Sequence, residues 1–360
     1  MKVLTASLFG KKTRARTISV TLVVAAYILV QILQSTGSLT RLIISLLVPV
    51  CAYLTAAIGL NLNVGISGEL NLGQAGFMSI GGFTAAVVSG LLTSSVPSAP
   101  LRLFIAMLLG AALAGLVGWL ISIPVLKLEG DYLAIVTLAF GQIIMSLINN
   151  LYVGFDADGL HFSFIDNNVA LGEGGKMLIS GPMGATGIKT ISSFGAGIIL
   201  VIVSLLIVYN LMYSKTGRAI MACRDNRIAA QTIGIRVSGA KTVAFVISSA
   251  LAGAAGALYI LNYSSVAAIK FDFNMSILIL VYVVLGGLGN MTGTIIATTL
   301  LVMLPELLRS LQGYRMLIYA IILILIMILT NNIRIRTFLT RLKRASADSI
   351  NHSEGGSDHV

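Results

Sequence analysis

The sequence predicts an all-α polytopic membrane protein with about 8–10 transmembrane helices, broken or re-entrant segments, and both termini in the cytoplasm. Three observations lead to this fold class: the composition, the recurrence of apolar runs, and the placement of the basic residues. Of the 360 residues, 57% are hydrophobic and 10% are charged, and the mean hydropathy is +0.96. A soluble domain carries about 25% charged residues, so this chain cannot present a water-facing surface over most of its area.

Apolar runs recur along the chain, and most are long enough to cross about 30 Å of hydrocarbon as a helix. Glycine and alanine are dense within several of them, which favours close helix packing in lipid. Ten-residue strands of alternating hydrophobicity are absent, which argues against a β-barrel. The predicted segments are 18–33, 42–62, 70–92, 101–122, 132–150, 192–213, 242–263, 275–293, 295–311 and 316–333.

One glycine-rich seam leaves the number of spans open. The stretch "GGLGNMTGT", Gly286 to Thr294, either divides two full spans or forms the turn of a short re-entrant hairpin. With the N-terminus inside, six spans bring the chain back to the cytoplasm at residues 214–241. Two or four further spans then place the C-terminus inside, so the orientation is the same under both interpretations.

The basic residues are concentrated in three segments. Five of the 24 Lys and Arg fall in residues 1–17, six in 214–241 and five in 334–344. The positive-inside rule places all three segments in the cytoplasm, which accounts for the net charge of +11 without a nucleic-acid partner. The first apolar run follows basic residues as a signal peptide would, but no small-x-small cleavage site follows. We therefore predict a retained first span.

These features divide the chain into three predicted parts. Residues 1–17 form a basic cytoplasmic N-terminus, 18–333 a transmembrane domain, and 334–360 a cytoplasmic, disordered tail. Within the transmembrane domain lie an external loop, 151–190, and a cytoplasmic loop, 214–241. The external loop is weakly acidic and rich in glycine, and it is predicted to form a structured cap, with a flexible linker as the alternative.

The sequence carries no recognisable catalytic constellation. There is no G-x-x-x-x-G-K-[ST] phosphate loop, no H-E-x-x-H motif and no paired Cys/His spacing for a metal. The two cysteines, Cys51 and Cys223, lie far apart and predict neither a disulfide nor a metal site. Outside the tail the only histidine is His161, and it has no Ser or Cys partner in the sequence. We therefore expect neither enzymatic activity nor a cofactor or metal bound by this chain.

The most informative polar groups lie in the stretch "GLNLNVGISGELNLGQAGF", Gly59 to Phe77. Polar side chains are unfavourable in hydrocarbon unless they face a bundle interior or a water-filled path, and a glycine-broken helix is tolerated only in such places. We expect this stretch to line a path for a small polar solute. For Glu69 the alternative is a turn, 63–69, in which Glu69 caps the next helix. The predicted lining residues here are Asn61, Asn63, Glu69, Asn71 and Gln74, with Asn71 and Gln74 on one helix face because they are three apart.

Further polar residues occur in two later segments. Glu129 and Asp131 precede an apolar helix, where acidic groups complement the helix dipole. Thr137 and Gln142 lie deeper in the same span and are predicted to point inward. Asn290, in the glycine-rich seam, is assigned to the same solute path.

The cytoplasmic loop has an amphipathic character. Its stretch "RDNRIAAQTIG", Arg224 to Gly234, is predicted to be one short helix ended by the glycine. Such a helix can lie on anionic membrane lipid, and positive-inside placement by itself accounts for its charge. Its apolar face also fits a groove on another protein. The residues of that face are Ile228, Ala229, Thr232 and Ile233.

Five segments together carry a family resemblance. They are "GELNLGQAGFMSIGGF", "GDYLAIVTLAFGQI", "GPMGATGI", "IAAQTIG" and "VVLGGLGNMTGTIIATTLLVMLPELLR". In this order and spacing, the chain resembles the LivM-type permease of branched-chain amino acid ABC importers, over residues 46–333. "IAAQTIG" is similar to the E-A-A-x-x-x-G motif with which such permeases contact their ATPases.

The resemblance implies a permease subunit in the bacterial inner membrane that moves branched-chain or related small amino acids. It implies a LivH-type second permease, two cytoplasmic ABC ATPase subunits that bind ATP and Mg, and an extracytoplasmic solute-binding protein. The residues assigned to contact with the ATPase are Arg218, Arg224, Asp225, Arg227, Ile228, Ala229, Ala230 and Gly234.

Three positions depart from the family pattern. Ile228 stands at the Glu of the coupling motif, and Arg227 stands where the family more often has an acidic residue. Gln142 replaces a common Glu in "FGQI". These changes bear on the polarity of the ATPase contact and on the identity of the ligand.

Other transport classes remain as alternatives. The same superfamily includes permeases for urea, short amides or simple sugars. An ion-coupled secondary transporter would need a carboxylate near the bilayer midplane, whereas the acidic residues here lie near the ends of predicted spans. They are Glu69, Glu129, Asp131 and Glu306. An integral membrane enzyme would need a nucleophile with its base, or metal ligands, which the sequence lacks.

Overall fold

The computed structural model describes residues 2–37, 40–128, 130–156, 159–164, 175–308 and 313–331. The predicted tail, 334–360, and Glu129 lie outside these residues. The helices are α1 (Lys2–Ser35), α2 (Arg41–Asn61), α3 (Gln74–Ser95), α4 (Ala99–Val125), α5 (Asp131–Asn149), α6 (Phe194–Tyr213), α7 (Lys215–Asp225), α8 (Arg227–Thr232), α9 (Val237–Ile260), α10 (Phe273–Gly286), α11 (Met291–Leu307) and α12 (Arg315–Asn331). A π-helix, Leu62–Ser67, continues α2.

The chain separates into two compact units, divided between Met303 and Leu304. The second unit contains the end of α11 and the apolar helix α12. The first unit contains everything else described below. We refer to the side of the first unit that carries α7 and α8 as the cytoplasmic side, as the placement of the basic residues predicts.

Seven of the described helices are long and apolar enough to cross a membrane. The predicted all-α polytopic fold class is therefore confirmed, and the chain is a multi-pass membrane protein. Helices α10 and α11 are apolar but shorter, with 14 and 17 residues, which correspond to about 21 and 26 Å at 1.5 Å per residue.

The glycine-rich seam joins α10 to α11 on the cytoplasmic side. Before α10, the backbone of Val266 pairs with Ala185, which also pairs with Ile179 in the external loop. After α10, the N–H of Gly289 donates to the side chain of Asn61 at the end of α2. Helix α10 therefore runs from the external loop to the cytoplasmic side, and α11 begins there.

Small residues hold the centre of the first unit together. Helices α3, α4 and α9 approach so closely that a Cβ atom on Gly81 would lie 2.3 Å from the backbone of Gly253. A Cβ atom on Gly256 would lie 1.8 Å from the carbonyl oxygen of Met78. Such backbone contact is the packing that Gly and Ala permit in lipid.

The external loop contains a small antiparallel sheet. Its strands are β1 (Tyr152–Asp156), β2 (Gly159–Ser163) and β3 (Lys176–Ser180), in the order β2-β1-β3. Leu178 packs against Gly90 in the second half of α3. The described part of the loop is thus a folded cap, as the first of the two interpretations predicted, and not a flexible linker.

Candidate functional site

A break in the helical structure separates α2 from α3. The chain leaves α2 through the π-helix Leu62–Ser67, turns at Gly68 and resumes a helix only at Gln74. Gly68 adopts φ = +76°, a left-handed conformation that glycine takes without steric penalty. Single turns of π-helix often occur at functional sites. We call residues 62–73 the break; its presence agrees with the prediction drawn from its glycines.

Asn61 connects the end of α2 to the seam between α10 and α11. Its Nδ2 donates to the hydroxyl of Thr294 at 2.8 Å, and its Oδ1 accepts from the N–H of Gly289 at 2.8 Å. Gly65, in the break, lies directly against Gly289, because a Cβ atom on Gly65 would be 2.2 Å from the Gly289 nitrogen. The break and the seam are therefore one packed unit.

Asn71 and Gln74 are in contact, but not on one helix face as predicted. Asn71 precedes α3, and its Oδ1 accepts from the N–H of Gly73 at 2.9 Å, which makes a local turn. The Gln74 amide donates to the carbonyl of Ala56 and accepts from Asn71 and Ser248. The prediction of a shared helix face was wrong because α3 begins at Gln74. Both side chains are fully buried.

The side chains of Thr137 and Asn290 also accept hydrogen bonds from backbone N–H groups. The hydroxyl of Thr137, in α5, accepts from the N–H of Leu72 at 3.0 Å. The exposed Asn290 accepts from the N–H of Gly293 in the first turn of α11. Gln142 is half-buried on α5. A role for these residues in the solute path stays a prediction.

Two buried groups of the π-helix have no hydrogen-bond partner in the part of the chain that the structure describes. They are the side-chain nitrogen of Asn63 and the hydroxyl of Ser67. A buried polar group without a partner is unfavourable by about 1–3 kcal/mol. Such groups are few in a native fold, and a ligand-binding or catalytic role is one physical reason for them.

Glu69 forms an ion pair with Lys241 of α9. Both side chains are only 12% exposed. The alternative of a turn in which Glu69 caps the next helix was wrong, because α3 begins five residues later, at Gln74. The pair instead joins the break to α9.

The basic loop forms two helices where one was predicted. Asn226 interrupts the stretch and caps α8, because its Oδ1 accepts from the N–H of Ala229 at 3.0 Å. The predicted end at Gly234 agrees with its φ of +86°. Arg218 donates to the carbonyl of Tyr213 and so fastens α7 to the end of α6.

Helix α8 presents the predicted apolar face to the outside. Ile228 and Ile233 are 75% and 74% exposed, and Ala229 and Thr232 are also exposed. Ala230 is buried and attaches the helix to the rest of the unit. Isolated exposed apolar residues are common, but two large exposed isoleucines in and directly after one short helix form a surface suited to a protein partner.

Arg224 joins this cytoplasmic surface to the break. Its Nη1 donates to the carbonyl of Gly65 at 2.8 Å, and its Nε and Nη2 donate to Asp225 at 3.1 and 2.9 Å. A Cβ atom on Gly68 would lie 2.6 Å from the Arg224 Cγ, so the arginine stem packs on that glycine. Arg224 is therefore a direct contact between α7 and the break.

A polar cavity of about 330 Å³ opens among these elements. It brings together Glu69, predicted for the solute path, with Arg224 and Arg227, predicted for the ATPase contact. Burial raises the pKa of the Cys223 thiol, which Lys241 and Arg227 oppose. The lining residues are Ser67, Gly68, Glu69, Leu70, Gly130, Asp131, Cys223, Arg224, Arg227 and Lys241.

Sequence reasoning missed the roles of Lys241 and Ser67. Lys241 was counted only among the basic residues of its loop. Its partner Glu69 lies 172 positions away in the sequence, so no local pattern indicates the pair. Ser67 resembles any small residue of a turn. Within the described ranges, no group of three or more His, Cys, Asp or Glu side chains could hold a metal ion.

The comparisons with known proteins agree with this architecture. Residues 42–330 match the family described as "Branched-chain amino acid transport system / permease component". The chain is 34% identical over 288 residues to the high-affinity branched-chain amino acid transport system permease protein LivM of Salmonella typhimurium, and equally to that of Escherichia coli. The match covers 77% of this chain and 66% of each relative, just under two thirds of their length. No solved structure matches the chain. The chain belongs to the branched-chain amino acid transport permease family.

Proposed function

We propose that this chain is the transmembrane permease subunit of an ABC importer in the bacterial inner membrane, which moves branched-chain or related small amino acids into the cell. The observation that carries the proposal is the link from the exposed helix α8, through Arg224, to the break. A transport permease driven by a separate ATPase needs such a connection between its cytoplasmic surface and its membrane interior.

The proposed complex has four kinds of component. This chain pairs with a LivH-type permease, two ABC ATPases dock beneath the pair, and an extracytoplasmic binding protein delivers the solute. ATP and Mg bind to the ATPases, and this chain catalyses no reaction itself. Closure of the ATPases on ATP presses on α7 and α8, and Arg224 carries the displacement to Gly65. ATP drives the cycle because it binds one arrangement of the complex more tightly than the other.

Purification from the native membrane in mild detergent tests the proposal. We expect a second permease and two ATPase chains to accompany this chain, and ATP-dependent uptake of L-leucine after reconstitution with the binding protein. A chain that emerges alone and moves solute in liposomes without ATP would be an ion-coupled secondary transporter. ATP-dependent uptake of urea, amides or sugars but not amino acids would correct the substrate class.

Ile228→Asp is expected to weaken ATPase docking by about tenfold, because burial of an unpaired carboxylate in an interface is unfavourable by more than 1.4 kcal/mol. The measurement is the amount of ATPase retained on the immobilised permease pair. Ile228→Val keeps an apolar side chain and serves as the matched control. Equal retention by both variants would remove α8 from the interface.

Asn71→Leu is expected to impair uptake while membrane insertion stays intact. Leucine removes the acceptor for the N–H of Gly73 and the donor to Gln74, so the turn before α3 loses its side-chain bonds. Uptake per permease in the membrane is the measurement. Asn71→Ser, whose hydroxyl can accept from the same backbone N–H, should keep more activity. Normal uptake by Asn71→Leu would show that the turn is not needed for transport.

A further inference from the structure

We propose that the polar cavity between the break, α5, α7 and α9 binds the α-carboxylate and α-ammonium groups of a free amino acid from the cytoplasmic side. The choice of an amino acid as ligand rests on the proposed function. The cavity itself, its charges and its serine without a described partner are observed in the structure and do not depend on the proposed function. Its volume, about 330 Å³, lies at the lower end of the range of about 300–1,000 Å³ that is typical of small-molecule sites.

The groups suited to a carboxylate are Ser67 and Arg227. Ser67 is 1% exposed, lines the cavity and has a hydroxyl without a partner. An arginine carries five N–H donors, so Arg227 can keep its existing contact and still donate a hydrogen bond to a ligand oxygen. Helix α5 begins at the cavity with Asp131, whose own carboxylate already supplies the negative charge that a helix N-terminus favours.

The group suited to an ammonium is the carboxylate of Asp131. Among the residues that the structure describes, the cavity is lined by three basic and two acidic side chains. Lys241 is engaged by Glu69, and Arg224 by Asp225 and the Gly65 carbonyl. No residue of the described ranges pairs with Asp131. Asp131 is exposed to solvent. A zwitterion can pair with its carboxylate as well as with the donors, whereas a simple anion can use only the donors.

The lining also indicates what the site does not recognise. Of the described residues that line the cavity, Leu70 is the only one with a large aliphatic side chain, so little of this lining can select among apolar side chains. We expect L-leucine, L-valine and L-alanine to bind with similar affinity. The site recognises the charged α-groups of an amino acid and does not discriminate among side chains.

Occupation of the cavity would act on the transport cycle through its walls. Arg224 and Gly68 belong both to the cavity and to the contact between α7 and the break. A ligand that bridges Ser67 and Arg227 holds the break against α8. It therefore favours whichever arrangement of the complex keeps these elements together.

The test measures equilibrium binding of radiolabelled L-leucine to the complete permease–ATPase complex in lipid nanodiscs, with the solute-binding protein left out. We expect one saturable site per copy of this chain, with competition by L-valine and L-alanine within about fivefold. The probes 3-methylbutylamine and 4-methylpentanoate each lack one charged group and should bind at least about tenfold more weakly, since bonds to charged groups are the strong ones.

Ser67→Ala and Asp131→Asn should each weaken L-leucine binding by about tenfold. Ser79→Ala is the matched control, because the hydroxyl of Ser79 is equally buried and unpartnered but lies in α3, outside the cavity. A thermal unfolding curve for each variant verifies that it is folded.

Three results would overturn the inference: no binding by the folded complex, binding that both cavity variants leave unchanged, or equal affinity for L-leucine and 4-methylpentanoate. The second result would place the leucine in the transport path, and the third would identify a simple anion site. ATP-driven uptake of leucine combined with an empty cavity would contradict this inference and leave the proposed function standing. Leucine binding in the cavity without ATP-driven uptake would support this inference and contradict the proposed function.

Discussion

Gly65→Ala is expected to reduce uptake by at least about tenfold, because the new methyl group has no space. A Cβ atom at this position would lie 2.1 Å from the Asn61 Oδ1 and 2.2 Å from the backbone nitrogen of Gly289. Asn61 is fully buried with its amide held by two hydrogen bonds, and the other neighbour is the half-buried backbone of Gly289. Relief of the overlap requires the seam to move away from α2.

Such a movement disrupts two hydrogen bonds at once. The N–H of Gly289 loses the Asn61 side chain, and the Gly65 carbonyl shifts relative to Arg224. Overpacking in a close-packed interior is unfavourable by about 1–3 kcal/mol, and a buried polar group left without its partner adds about 1–3 kcal/mol. The loss falls on the contact that we propose transmits motion from α7, so uptake should decrease more than stability does.

The measurement is ATP-dependent uptake per folded complex, together with the thermal unfolding temperature in detergent. Gly239→Ala is the control, because Gly239 lies in α9 and its added Cβ would meet only Arg236, at 3.9 Å. We expect the control to retain uptake. Wild-type uptake by Gly65→Ala would show that the break and the seam can separate without consequence, and would contradict the proposed transmission.

The second large effect is expected when the ion pair of Glu69 and Lys241 is broken on one side only. Lys241→Met leaves the Glu69 carboxylate nearly buried and without its partner, and removal of one member of a buried pair is unfavourable by about 3–5 kcal/mol. Glu69→Gln leaves the Lys241 ammonium nearly buried and without its charged partner. Each single variant should lower the unfolding temperature and the yield of folded complex.

Combined variants test whether Glu69 and Lys241 stabilise the fold as a pair. The double variant Glu69→Gln with Lys241→Met should be less destabilised than the sum of the two single variants, because it leaves no buried charge. The exchange of Glu69→Lys with Lys241→Glu should recover most of the stability. Strict additivity of the two single effects would contradict a direct pair.

The same variants discriminate between two classes of transporter. In an ion-coupled carrier, a carboxylate that binds the ion could not be replaced by an amine, so the exchanged variant would stay inactive although folded. In the proposed importer, Glu69 joins the break to α9, and the exchanged variant should regain uptake along with stability. Uptake and unfolding temperature measured on one preparation decide between them.

Composition and local pattern by themselves determined the fold class, the approximate bounds of the helices and the glycine break. These properties are local, because hydropathy decides whether a segment enters lipid and glycine decides where a helix can be interrupted. The end of the amphipathic stretch at Gly234 was predictable for the same reason, since glycine there takes a positive φ.

Only the tertiary structure decided how the polar residues are used. Asn61 binds the backbone of Gly289, 228 positions away, and Arg224 binds that of Gly65, 159 positions away. Glu69 pairs with Lys241, whereas the sequence offered a place in the solute path or, as the alternative, a helix cap. A buried polar group takes its partner from whatever the packed helices bring beside it. The partner therefore depends on helix packing across the whole bundle, and no short stretch of sequence contains that information.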